Sequence, residues 1–177
     1  MKAVVLICCF LFSAWSPSFA VEANCNVQNT GLPLNVTECR NTKGLYVDGK
    51  YVKSMCIIDT LDTVEEALQR CEKRGMNLFI IDSAGLQSVF HQSTNDFLSD
   101  HPNGHVWING MRDKISYQWT VYHQNRKPKG LLFNGIDWVT NGQTSGNCLR
   151  YAGQNGPYKS MGFSCDSRHW IVCEYDG

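Results

Sequence analysis

The chain has 177 residues, enough for one ordinary domain and a short extension. Hydrophobic residues make up 43% of the chain and charged residues 18%, which excludes a disordered or collagen-like protein. Lys and Arg number 16, as do Asp and Glu, so the chain lacks the positive charge that is typical of a nucleic-acid-binding protein.

Residues 1–20 have the features of a secretory signal peptide. Lys2 supplies a positive charge, residues 3–15 form an uncharged apolar run, and Ser18 and Ala20 place small residues before a cleavage site. A second, weaker cleavage motif ends three residues later. The apolar run, at about 1.5 Å per residue, is too short to span a bilayer of roughly 30 Å. We therefore predict a secreted, extracellular protein without a membrane span.

Cysteine usage also indicates an oxidising compartment. Of the 9 cysteines, Cys8 and Cys9 leave with the signal peptide, and an odd number remain. One thiol must then stay free or pair with another chain. No C-x-x-C pair occurs, so redox and zinc-ribbon motifs have no support. A bridge from Cys71 to one of the last three cysteines would join the two ends of a domain and contribute about 4–5 kcal/mol.

The segment after the signal peptide is polar. Residues 21–44 show no hydrophobic periodicity, and we predict them as an N-terminal extension. Asn35 begins an Asn-Val-Thr sequon, which predicts N-glycosylation in a secreted protein. Residues 45–52 are then predicted to form two short strands around an Asp48-Gly49 turn.

Two helices are predicted next, with a buried strand at residues 77–82 between them. The first helix is capped by Asp62 or Thr63 and ends at Gly75. Its apolar residues recur every three or four positions: Val64, Ala67, Leu68 and Cys71. The second, weaker helix runs over residues 84–98. Its inner face consists of Val89, Phe90, Phe97 and Leu98.

The second half of the chain is predicted to contain a long irregular loop and several short strands. A strand at residues 105–108 precedes residues 113–147, which are rich in Gly, Asn, Lys and Gln. Long loops inside a compact domain are usually functional. Its aromatic residues are expected to anchor the loop to the core: Trp119, Tyr122, Phe133 and Trp138. Strands at residues 148–151, 159–163 and 170–175 complete an α+β pattern.

Five motifs, in order along residues 45–175, resemble those of the C-type lectin-like domain. They are a cysteine-bearing helix followed by Gly-Met-x-Leu, a Trp-Ile-x-Gly strand, a further core Trp, an Asn-Cys-Leu strand and a terminal Ile-Cys-Glu that here has one extra residue. In this chain they are residues 67–78, 107–110, Trp119, 147–149 and 171–174. Each motif is weak alone, but the five together, with matching cysteine spacing, are specific.

The resemblance implies an α+β C-type lectin-like fold over residues 45–177. Two helices would pack on short antiparallel sheets, and a long loop would carry the ligand site. The resemblance also implies two disulfides, Cys71–Cys173 and Cys148–Cys165. A Cys39–Cys56 bridge would leave Cys25 available to a second chain, whereas a Cys25–Cys39 bridge would leave Cys56; the sequence does not decide between them.

The family binds sugars through Ca²⁺, an ion that prefers six to eight oxygen ligands. By resemblance, the family's Glu-Pro-Asn or Gln-Pro-Asp triplet corresponds to residues 143–145, its next acidic residue to Gly146, and its Asn-Asp pair to Met161 and Gly162. Of these ligand positions only Gln143 keeps a suitable oxygen, and residues 138–165 contain no Asp or Glu. We therefore expect no Ca²⁺ site and no other metal or cofactor.

Other constellations give weaker signals. No nucleophile elbow, acid–base pair or metal-ligand set appears, so we predict that the protein is not an enzyme. His101 and His105 are expected to be solvated loop residues, and Tyr117 to anchor the loop rather than stack on a ligand. Four cations give the long loop a positive charge that would suit a sulfated glycan or an acidic protein, although a solvated loop is the simpler interpretation: Lys114, Arg126, Lys127 and Lys129.

The combined prediction is a secreted recognition protein that resembles the single-domain C-type lectins of invertebrates, which serve in immunity or reproduction. Its favoured partner is an extracellular protein, with a disulfide-linked dimer as one possible form. The alternative is a functional lectin for galactose-type or sulfated glycans. Such a lectin would need an atypical or calcium-independent carbohydrate site around Gln143, Ser145 and Asn147.

Overall fold

The computed structural model describes residues 38–101, 104–123, 126–152 and 159–175. The predicted signal peptide, Cys25 and Asn35 lie outside these described residues. Within the described ranges, no helix combines the length and apolar character needed to cross a bilayer.

A long β-hairpin opens the described fold. Strands β1 (Cys39–Val47) and β2 (Lys50–Asp62) pair antiparallel. Asp48 and Gly49 form the turn with φ of 50° and 75°, the positive values that two-residue hairpin turns require. The predicted turn is confirmed, but β1 begins upstream of residue 45. Residues 39–44, which we predicted as part of the extension, belong to the sheet.

The first helix, α1 (Val64–Glu72), is fixed by its ends. The Thr63 hydroxyl accepts a hydrogen bond from the Glu66 backbone N–H, and the Glu66 carboxylate accepts one from the Thr63 N–H. This reciprocal capping box identifies Thr63, rather than Asp62, as the N-cap. Gly75, at φ 71°, lies in the turn that follows the helix. The buried face matches the predicted spacing at Val64, Ala67 and Cys71.

The second helix, α2 (Ala84–Ser99), begins after a Ser83 cap and buries the predicted aromatic residues Phe90 and Phe97. The strand predicted before it is wrong beyond its first two residues, because only Asn77–Leu78 forms a strand, β3. At residue 80 side chains replace a partner strand: the Ile80 N–H donates to the Glu174 carboxylate, and the Lys53 ammonium group donates to the Ile80 carbonyl.

All the strands of the described residues belong to one sheet. The remaining six are β4 (His105–Arg112), β5 (Trp119–Tyr122), β6 (Pro128–Leu131), β7 (Cys148–Ala152), β8 (Lys159–Phe163) and β9 (His169–Tyr175). The main order is β1-β2-β9-β4-β5-β6, with β3 on β9, β7 on β4 and β8 on β7. Because β4 and β9 pair in parallel, the sheet is mixed, and the prediction of antiparallel sheets alone is wrong. The long connection between these two strands allows the parallel pairing.

Three disulfides cross this framework: Cys39–Cys56, Cys71–Cys173 and Cys148–Cys165. The second and third are the pairs that the resemblance implies. Cys71–Cys173 joins α1 to β9 inside a buried cluster that also contains Trp107. Cys39 and Cys56 bond to each other, so neither is the unpaired cysteine, and a Cys25–Cys39 bridge does not occur.

The segment 113–147 is more ordered than predicted. It contains the β5–β6 hairpin and a 3₁₀ turn, Gly142–Thr144, because antiparallel pairing of β5 with both β4 and β6 satisfies the backbone. The anchoring role predicted for its aromatic residues is confirmed for Trp119, which is buried, and for Phe133 and Trp138, which pack against the main core. This hairpin and turn place the candidate site beside β8.

Candidate functional site

The predicted sugar-site residues lie together on the surface beside the 3₁₀ turn. Gln143 and Ser145 are exposed, and Asn147 is half-buried just before β7. The Thr144 and Ser145 hydroxyls both donate to the Asn141 carbonyl, at 3.2 and 3.1 Å, so they face the turn's own backbone. Among the described residues, the Gln143 side chain has no hydrogen-bond partner. The structure therefore presents one free amide rather than a set of converging ligands.

Two of the family's acidic positions are occupied by glycines that touch each other. A Cβ added to Gly146 would overlap the backbone carbonyl group of Phe163 and lie 2.6 Å from its Cα. A Cβ added to Gly162 would lie 2.6 Å from the Gly146 carbonyl oxygen and 3.1 Å from the Trp119 ring. Real Cβ atoms essentially never come within 3.0 Å of such neighbours. A carboxylate does not fit at either position without movement of the backbone.

A buried cation lies beside the third ligand position, Met161. Arg150 on β7 is 3% exposed, and its Nη2 group donates to Met161 Sδ at 3.3 Å. The guanidinium carbon lies 3.4 Å from the centre of the Phe163 ring. No described carboxylate forms an ion pair with Arg150, and burial lowers its pKa to about 10. Positive charge, rather than negative, is therefore concentrated where the family binds a dication.

Two histidines extend this cationic cluster. His169 Nε2 accepts from Arg150 Nη1 at 3.1 Å, because a guanidinium can only donate. The rings of His105 and His169 lie 5.3 Å apart. Burial and, secondarily, the charge of Arg150 lower the pKa of His105 to about 4 and that of His169 to about 3. Both imidazoles are thus neutral at physiological pH.

Sequence reasoning missed this cluster and misplaced both histidines that it considered. His105 lies in β4 rather than in a loop, and His101 stacks on Phe97 and Trp170. Arg150 within an otherwise apolar strand was the available signal, since a charge in a buried strand needs a local partner.

The described residues do not fit a Ca²⁺ ion. They contain no group of three or more His, Cys, Asp or Glu side chains placed to hold a metal. A neutral amide at Gln143 and a thioether at Met161 do not supply the six to eight hard oxygens that Ca²⁺ requires. No chemical step through this ion can be assigned to the site.

The four cations predicted to give the long loop its charge do not form one patch. Lys114 lies in the turn before β5, whereas the other three follow β5, at its opposite end. Arg126 forms an ion pair with Glu65. Tyr117, expected to anchor the loop, is instead 64% exposed and lies under the Arg112 guanidinium. The turn's polar groups bond within it, which leaves the Tyr117 ring outside the core.

Comparison with known proteins identifies the family. The profile described as "Lectin C-type domain" matches residues 60–175. No curated protein sequence matches the chain. Similar solved structures include human lithostathine, at 16% identity over 78% of this chain and 98% of that one, with a TM-score of 0.62.

Two further structures have the same architecture. One is a Ca²⁺-dependent type II antifreeze protein in its Ca²⁺-free form, at 18% identity over 77% of this chain and 98% of that one, with a TM-score of 0.58. The other is the C-type lectin domain of murine dendritic cell inhibitory receptor 2 in complex with an N-glycan, at 18% identity over 78% of this chain and 98% of that one, with a TM-score of 0.55. These likenesses concern the fold. With the profile match over most of its length, the chain belongs to the C-type lectin domain family.

Proposed function

We propose that this protein is an extracellular recognition module that works without the family's Ca²⁺ site. The observation that supports the proposal most directly is the contact between Gly146 and Gly162, which leaves no room for two of the usual carboxylates. The buried, unpaired charge of Arg150 beside Met161 adds electrostatic opposition to a dication. Binding is then a matter of surface shape and polarity, and no enzymatic step is proposed.

The favoured partner is an extracellular protein. Surface residues near the former sugar site include exposed Ile115 and Tyr117, at 89% and 64%, and protein interfaces favour large side chains of this kind. Secretion through residues 1–20, glycosylation at Asn35 and a role in immunity or reproduction are parts of the same proposal. They rest on the sequence motifs and on the family.

Covalent linkage to a second chain is a specific form of this proposal. The three disulfides use six of the seven cysteines that follow the signal peptide, and Cys25 is the remaining one. The test is gel migration of the secreted protein under non-reducing and reducing conditions, with Cys25→Ser as the matched control. A dimer that is lost on reduction and in C25S supports the linkage. Monomeric migration in both conditions contradicts it.

A calcium-independent lectin for galactose-type or sulfated glycans is the second candidate. It is favoured by the exposed, unpartnered amide of Gln143 and by its neighbours Ser145 and Asn147. One structural neighbour was solved with an N-glycan. A glycan array probed with and without EDTA tests this function. Binding that persists in EDTA and falls in Gln143→Ala supports it, and absence of binding in both conditions eliminates it.

A further inference from the structure

A cleft lies away from the former sugar site, between the turn that precedes α2 and the β5–β6 hairpin. Its volume is about 230 Å³. Its walls are mainly apolar, and one of them, Leu131, is 66% exposed. The apolar lining consists of Ile80, Ile81, Val121, Leu131 and Phe133. None of these residues belongs to the segment 143–147.

The volume limits the size of an occupant. A water molecule takes up about 30 Å³ of liquid, so the cleft holds on the order of eight non-hydrogen groups. This matches one short alkyl chain or one aromatic ring with a small substituent. It is too small for a folded domain or a disaccharide to enter, and the apolar walls offer few partners for sugar hydroxyls.

The charges at the rim are not balanced. Asp82 lies 3.7 Å from the ammonium group of Lys53, which also bonds the buried carboxylate of Glu174 at 2.9 Å. Asp82 therefore already has a cation beside it. Lys129 lines the cleft and Lys127 precedes it on the same hairpin, and no described residue forms an ion pair with either one.

We propose that this cleft binds a small anionic amphiphile, in which a chain or ring of about eight non-hydrogen atoms enters the apolar part and a carboxylate or sulfate head contacts Lys129. The apolar walls supply the burial, and the unpaired ammonium group supplies the charge preference. This site is independent of the recognition function proposed above, because the two share no residue.

The test uses the intact, disulfide-bonded domain labelled with ¹⁵N. Octanoate is titrated as the probe, with octan-1-ol lacking the charge and acetate lacking the chain as matched ligands. Octanoate is expected to shift the backbone amide signals of residues 80–82 and 129–131, octanol to shift them at higher concentration, and acetate to leave them unchanged. Octyl sulfate in place of octanoate shows which head group binds more tightly.

Variants separate the two parts of the cleft. Lys129→Gln is expected to weaken octanoate about three- to fivefold, as for an exposed ion pair, and to leave octanol unchanged. Leu131→Ser, at an exposed position, should weaken both ligands. Lys114→Gln, in a different turn, is the control and should have no effect. The proposal is overturned if octanoate leaves the cleft signals unchanged, if octanol binds as tightly as octanoate, or if anionic vesicles bind while monomeric octanoate does not.

Discussion

Substitution of Gly162 by alanine tests whether the former metal site is closed by backbone packing. The added Cβ would lie 2.6 Å from the Gly146 carbonyl oxygen, against a practical limit of 3.0 Å, so the two strands must separate by at least 0.4 Å (3.0 − 2.6). The Trp119 ring, 3.1 Å away, blocks the alternative shift. Overpacking of this kind costs about 1–3 kcal/mol and sometimes more.

Gly130→Ala is the matched control, since Gly130 also lies in a strand but a Cβ there would meet nothing within 4 Å. For about 2 kcal/mol we expect Gly162→Ala to lower the melting temperature by roughly 8 °C. Gly130→Ala should leave it unchanged or raise it, because alanine restricts the unfolded chain. Thermal unfolding followed by near-ultraviolet circular dichroism measures both. A Gly162→Ala protein that melts within about 2 °C of the parent would refute the packing argument.

Three further predictions concern stability. Because the pKa values of His105 and His169 are about 4 and 3 in the fold and near 6.5 when unfolded, the unfolded state takes up protons first, so the urea midpoint should fall as pH drops from 6.5 to 5; a constant midpoint would contradict this. Arg150→Met removes a buried charge without leaving an unpaired carboxylate, so its melting temperature should equal or exceed that of the parent, and a large loss would show an unseen partner. Thr63→Ala removes the cap of α1 and should cost about 1 kcal/mol by urea unfolding, whereas Thr63→Ser should retain most of the stability; equal effects would argue against the capping box.

Local features of the fold were the most predictable from sequence. The ends of α1 depend on residues three apart and on one glycine, so the Thr63 cap and the Gly75 stop follow from a short window. The Asp48-Gly49 turn is local in the same sense. Two of the disulfides were accessible only through the resemblance to the family, since spacing alone left several partners open.

Features that depend on cross-strand register were not predictable. The glycines at 146 and 162 lie 16 residues apart in sequence (162 − 146), and their contact is set by the pairing of β7 with β8. Arg150 and His169 meet only because β7, β4 and β9 share one sheet. The sequence showed that the carboxylates are missing, and the structure adds that the space for them is closed.

Isothermal titration of Ca²⁺ into the purified, disulfide-bonded protein tests the central claim most directly. Loss of the carboxylates and closure of their positions predict no saturable heat up to millimolar Ca²⁺, and no change in the melting temperature on addition of EDTA. Saturable binding in the micromolar-to-millimolar range that perturbs Gln143 and enables monosaccharide capture would contradict the account.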